Sequence, residues 1–166
     1  SEEDVETLRY ASPMHDIGKI AIPDAILKKP GKLTPEEWEV MKQHTVIGSK
    51  IFQNSRSSIL RAAAQIALTH HEKYDGSGYP RGLKGEDIPI FGRITAVVDV
   101  FDAVLSKRCY KAASTFDEAF SYIESLAGTH LDPKLVEAFV RIKKKIISIY
   151  EANTVIQHFV NDFGTL

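Results

Sequence analysis

Cysteine is almost missing from the 166 residues, and Cys109 alone cannot close a disulfide within the chain. A disulfide framework is excluded, and a reducing compartment is the natural setting. No apolar run approaches the roughly 18 residues a membrane span needs. The chain opens on Ser1 and an acidic stretch, not on a signal sequence. Neither sign of charge dominates, since 21 Lys and Arg face 22 Asp and Glu. That balance argues against a nucleic-acid coat or a polybasic membrane anchor. Repeats, low-complexity segments and period-two alternation are also missing. The expectation is a cytoplasmic, all-α protein of one domain over 1–150, followed by a tail over 151–166.

Helix signals fill that domain. Glu3 to Gly18 reads as helix, with Pro13 kinking it or restarting it after Ser12. Residues 20–33 are broken by Pro23, Pro30 and Gly31 and read as a loop with one short turn. Thr34-Pro35-Glu36-Glu37 combines an N-cap, a first-turn proline and a capping box, so a helix should run from there to about Gln53. The next is expected from Ser58 to Glu72. Residues 73–90 hold Gly76, Gly78, Gly82 and Gly85 with Pro80 and Pro89, a loop long enough to suggest a function. Further helices are expected over Phe91 to Lys107, from a capping box at Thr115 and Glu118 to a stop at Gly128, and from Asp132-Pro133 to Tyr150. The stretch NTVIQHFVNDF could add another. The total is six or seven helices.

Four histidines and two aspartates stand out. His15-Asp16 ends the first helix, His44 lies mid-helix, His70-His71 closes another helix, and Asp99 sits inside a fourth. The gaps of about 25 to 30 residues match one helix plus one loop, so a bundle can gather all six at one point. His44 shares a face with Met41, Gly48 and Ile51, taken as the inward stripe. His70 falls in line with Ala63, Ile66 and Ala67. Asp99 lies among Gly92, Ala96, Ala103 and Ser106, and a carboxylate on such a small-residue face is costly unless paired or bound to a metal. A lone inward histidine is more often a satisfied core residue, and a lone His-Asp pair means little. Six such residues, one or two per element, are harder to dismiss. Imidazole and carboxylate without thiolate favour a divalent metal such as Fe, Mn, Zn or Co, with Fe or Mn foremost. Six candidates exceed one tetrahedral ion and point to two ions with a bridging carboxylate. Paired ions activate water and clamp an in-line phosphoryl displacement.

The segments HDIGKIAIPDAILKKPGKLTPEEWEVMKQH (His15 to His44), ALTHHEKYDGSGYP (Ala67 to Pro80) and GRITAVVDVFDAVLSKRCYK (Gly92 to Lys111) closely resemble the HD-GYP subgroup of the HD phosphohydrolase superfamily. The name-giving elements are His15-Asp16 and Gly78-Tyr79-Pro80. GTHLDP (Gly128 to Pro133) extends the resemblance to about residue 140. It implies an HD-domain helical bundle and bacterial second-messenger signalling. It implies hydrolysis of cyclic di-GMP to linear pGpG, and on to GMP, at a centre of two or three metal ions.

Carried over, the metal ligands are His15, Asp16, His44, His70, His71 and Asp99, with Asp16 bridging. Lys19, Arg108 and Lys111 engage substrate phosphates, and Tyr79 could stack a guanine. His15, Asp16 and Lys19 form the catalytic group. Glu72 and Asp102 are expected to orient imidazoles or the lysine, and Asp75 to cap the loop. Fusion or partnership with a sensory, receiver or diguanylate cyclase domain is also implied.

Two departures matter. Cys109 stands where relatives often carry proline. Relatives also have a preceding helix that supplies a further histidine, whereas residues 1–14 contain none. The resulting expectation is incomplete metal binding, weak turnover, and an apolar face around Leu8 and Ala11 open to a homodimer partner or to Val155 to Phe163. The alternatives are an inactive sensor or interaction domain and a phosphohydrolase for another nucleotide.

Overall fold

A computed structural model describes residues 1–106 and 115–152. Arg108, Cys109 and Lys111 lie outside the described residues, as does the stretch Val155 to Phe163. Among the described residues are eight α-helices, one of them a single turn, and no strand beyond a bridge between Ala127 and Leu131. None is long and apolar enough to cross a membrane.

The first helix, α1 (Glu2–Ala11), is capped by Ser1 and Asp4. It stops well short of Gly18, because Pro13 lacks the N–H that an α-helix needs there. Two short 3-10 turns, Ser12–Met14 and Ile17–Ala21, carry the chain on instead, and His15 and Asp16 lie between them. The single turn α2 (Asp24–Leu27) follows.

Helix α3 (Pro35–Phe52) starts as expected, with both halves of the Thr34–Glu37 capping box formed. Helix α4 (Ser58–Thr69) ends three residues before Glu72, so His70 becomes its C-cap. Helix α5 (Ile90–Ser106) is followed by α6 (Phe116–Ser125). Thr115 caps α6 without a side-chain hydrogen bond, so the expected box is not built from its hydroxyl. Asp132 does cap α7 (Pro133–Arg141) through the Lys134 N–H. The long last helix expected to Tyr150 breaks at Ile142 (φ −98°, ψ 17°). Helix α8 over 143–152 follows at once, burying Ile146 and packing the Tyr150 ring on Phe101.

Two apolar clusters hold these helices. Phe101, Phe120, Ile123, Leu131, Val136 and Ile146 join α5 to α6, α7 and α8. Ala11, Ala62, Ala63 and Ile66 join α1 to α4, with Leu8, Phe52 and Phe91 against them. Ala11 is therefore fully buried under α4, not left uncovered.

Two glycines bring the pieces close. A Cβ on Gly18 would lie 1.9 Å from the His44 carbonyl oxygen, so the turn after Asp16 rests backbone-to-backbone on α3. A Cβ on Gly92 would lie 2.2 Å from Thr69 Oγ1, which seats α5 on the end of α4.

Candidate metal centre

His15, Asp16, His44, His70, His71 and Asp99 arrive from four separate places in the fold and meet. Ligand atoms of Asp16, His44, His70 and His71 all lie within 4.8 Å of one another. His15 and Asp99 close the other side, with His15 Nε2 3.5 Å from Asp16 Oδ2 and 3.7 Å from Asp99 Oδ1. Asp16 thus divides its carboxylate. Its Oδ1 faces His44 Nε2 at 3.4 Å and His70 Nε2 at 3.7 Å, while its Oδ2 faces His15 and Lys19.

The imidazoles are oriented by the main chain. His15 Nδ1 donates to the Ser12 carbonyl at 2.8 Å, and His44 Nδ1 to that of Met41 at 2.7 Å. His70 Nδ1 lies 3.1 Å and 3.0 Å from the Ile66 and Ala67 carbonyls. With Nδ1 protonated, the Nε2 lone pair points at the centre. Asp16 Oδ1, His44 Nε2 and His70 Nε2 are buried, and none has a hydrogen-bond partner. Three acceptors facing one another without a proton between them is an unfavourable arrangement unless a cation sits among them. The donor set of imidazole and carboxylate, with no thiolate, fits a divalent transition metal.

Charge follows the same division. Burial pushes the His44 pKa down and pushes that of His71 down to about 3, so both are neutral donors. Asp16, and then Asp99, push the His15 pKa up to about 10. Burial alone would raise the Asp16 carboxyl, but its neighbours His15, His70 and Lys19 more than reverse this and hold it ionised. Hydrogen bonding from His15 likewise holds the Asp99 carboxyl below the usual range.

Other expectations meet different outcomes. Lys19 Nζ bonds Asp16 Oδ2 at 2.5 Å, one turn beyond the pair it serves. Tyr79 packs its ring on His71, centroids 4.9 Å apart and tilted 33°, and so braces that imidazole. Glu72 orients no imidazole, because its buried carboxylate accepts the Arg81 and Leu83 N–H groups and ties down the glycine-rich loop. Asp102 accepts the Tyr150 hydroxyl at 2.9 Å. Asp75 caps the loop through the Ser77 N–H, as expected. Ile51 is 49% exposed, and the inward face of α3 runs on instead through Ser49 to Phe52. Ala103 is exposed too, and the small face of α5 opens there into a cavity beside His70, His71 and Asp99.

Sequence reasoning missed Trp38, Lys42, Lys73 and His130, which surround a second cavity reached from His71. His130 had a signal, as the histidine of GTHLDP; Trp38 and Lys42 had none.

Comparison with known proteins agrees with this geometry. Residues 1–135 match the family model described as HD domain. The chain is 57% identical over 150 residues to a cyclic di-GMP phosphodiesterase of Thermotoga maritima, covering 90% of this chain and 41% of that protein. It is 47% identical over 149 residues to 3′3′-cGAMP-specific phosphodiesterase 2 of Vibrio cholerae, covering 90% of this chain and 28% of that one. It thus spans less than half the length of either relative. A solved structure of a cyclic GMP-AMP-specific phosphodiesterase from V. cholerae shares the fold, with a TM-score of 0.61 at 21% identity over 89% of this chain and 39% of that chain. With its His-Asp pair set between the two 3-10 turns and its imidazoles gathered around that aspartate, the chain belongs to the HD domain family.

Proposed function

We propose that this chain hydrolyses a phosphodiester of a cyclic dinucleotide, cyclic di-GMP to linear pGpG, with two divalent ions held by the six residues. The observation that carries the reading is the divided Asp16 carboxylate. One oxygen faces His44 and His70, the other faces His15, and the buried Nε2 atoms of His44 and His70 lack a hydrogen-bond partner. Divalent ions bound there would supply an activated water and a clamp on the phosphoryl oxygens. The identity of the relatives supports the substrate class.

The protein's own contribution is positioning. Asp16 lies where a carboxylate can bridge two cations, and the main-chain carbonyls hold His15, His44 and His70 in the donor tautomer. His71 is held by the Tyr79 ring. The Lys19 ammonium, anchored on Asp16, places a positive charge at the edge of the site where an anionic phosphate must lie. Arg108 and Lys111 are assigned to the phosphates by resemblance alone. No covalent enzyme intermediate is required, because the activated water would be the nucleophile.

Turnover of cyclic di-GMP with added Mn²⁺ or Fe²⁺, followed by product chromatography, tests the reading. The expected result is pGpG from the native chain and none from Asp16→Asn. Undiminished turnover by Asp16→Asn would remove the bridge from the mechanism.

A further inference from the structure

The metal centre does not account for the cavity on the other side of His71. It has a volume of about 390 Å³, and Trp38, Lys42, Lys73, Tyr79 and His130 line it. That volume falls at the lower end of small-molecule sites. Trp38 is the only tryptophan of the chain and is 44% exposed at the rim. Its ring meets that of Tyr79 at 81°, centroids 5.9 Å apart, so the two form a corner of indole and phenol walls. The Lys42 ammonium lies 5.8 Å from the centre of the Tyr79 ring and is paired with Glu39 at 2.7 Å, which leaves it further donors. The Lys73 ammonium has no hydrogen bond or ion pair among the described residues, and the Lys73 carbonyl accepts the Gly76 N–H at 2.8 Å. A large aromatic left half in solvent stands here beside two ammonium groups and next to a candidate ligand.

We propose that this corner is a nucleobase subsite that selects guanine, with Trp38 as the stacking wall and Lys42 and Lys73 as the groups that read the base. The proposal rests on the cyclic-dinucleotide reading above. Guanine presents two acceptors, N7 and O6, on its Hoogsteen edge, whereas adenine presents N7 beside an N6 donor. An ammonium is donor only, so two lysines at that edge accept guanine and leave the adenine amino group unmatched. The indole offers a flat face, and base stacking on an aromatic side chain adds affinity without regard to sequence. His71 borders both this cavity and the one beside Asp99, so a molecule whose phosphate lies at the centre can place a base here.

The test uses the full chain stripped of metal with EDTA, so that nothing is turned over. Cyclic di-GMP and cyclic di-AMP are titrated by calorimetry and, in parallel, by tryptophan fluorescence, which reports Trp38 alone. Quenching of the indole is expected, with cyclic di-GMP bound about tenfold more tightly than cyclic di-AMP. The double variant Lys42→Gln, Lys73→Gln should reduce that preference to roughly threefold or less, with circular dichroism showing that it folds. Equal affinity of the native chain for both nucleotides would overturn base selection and leave the lysines to the phosphates. Calorimetric binding with an unchanged indole signal, or an unaltered preference in the double variant, would overturn the subsite while sparing the hydrolytic reading. Binding of neither nucleotide would overturn the subsite, and the turnover assay with added metal decides the hydrolytic reading separately.

Discussion

The Nδ1 atoms of His15, His44 and His70 each face a main-chain carbonyl three or four residues upstream, so helix and turn geometry decides the tautomer of every one. Orientation is thus set before any ion arrives, and the remaining nitrogens have no alternative use. In the absence of a metal, the proton on His15 takes the cation's place between Asp16 and Asp99. These carboxylates push its pKa from 6.5 up to about 10. A group whose folded value is raised stabilises the fold fully below pH 6.5 and loses that contribution as pH rises through 10. Asp16 and Asp99 have the opposite sign. Their carboxyls are held below the ordinary 3.8, so their contribution is present above it and is lost on acidification. The metal-free chain should therefore lose thermal stability between pH 6.5 and 10, and His15→Ala should flatten that slope. Metal uptake at pH 8 should expel about one proton per chain, read from the buffer dependence of the calorimetric heat. A heat independent of buffer would show that His15 gives up no proton.

At the scale of elements, the close seat of the Asp16 turn on α3 sets the distance between Asp16 and His44. Gly18→Ala would push a Cβ into the His44 carbonyl, which belongs to the backbone and cannot turn aside. The expected cost is about 1 to 3 kcal/mol by denaturant unfolding, with loss of metal stoichiometry. Gly48→Ala makes its tightest contact with a side-chain methyl, Ala67 Cβ at 3.1 Å, and should cost less. Equal costs would mean that the turn shifts freely.

Elements whose signals are local were legible in the sequence. The Thr34–Glu37 box sets the start of α3 by itself, and Asp132-Pro133 sets that of α7. The six candidate ligands were legible because each carries chemistry that a core does not need. What the sequence hid depends on tertiary partners. Glu72 reads as a group for the metal site, but the loop amides of Arg81 and Leu83 claim it. Ile142 carries no breaker signal, and the chain turns there so that Ile146 can enter the core. The Trp38 corner is assembled from α3, the glycine-rich loop and GTHLDP, segments that no spacing rule connects.

Over the whole molecule, the centre lies at the seam of the two apolar clusters. His15, Asp16, His44, His70 and His71 belong to the half built on α1, α3 and α4. Asp99 reaches the centre from α5, whose Phe101 is packed among Phe120, Phe139 and Tyr150 of the other half. An ion held by both halves would tie them together, and binding to the folded state alone raises stability by mass action. At free metal about a hundredfold above the dissociation constant the gain is about 2.7 kcal/mol. In a chain of this size that amounts to roughly 5 to 10 °C in Tm. Chelation with EDTA should therefore lower Tm by that order, and Mn²⁺ should restore it. Asp16→Asn should abolish the increment, because it removes the charge shared by both sides of the centre. Asp99→Asn should keep part of it, since His44, His70, His71 and Asp16 remain grouped in the first half. Thermal melts of the three proteins with and without Mn²⁺ check the order, and an Asp16→Asn variant stabilised by metal as much as the native chain would place the ion elsewhere.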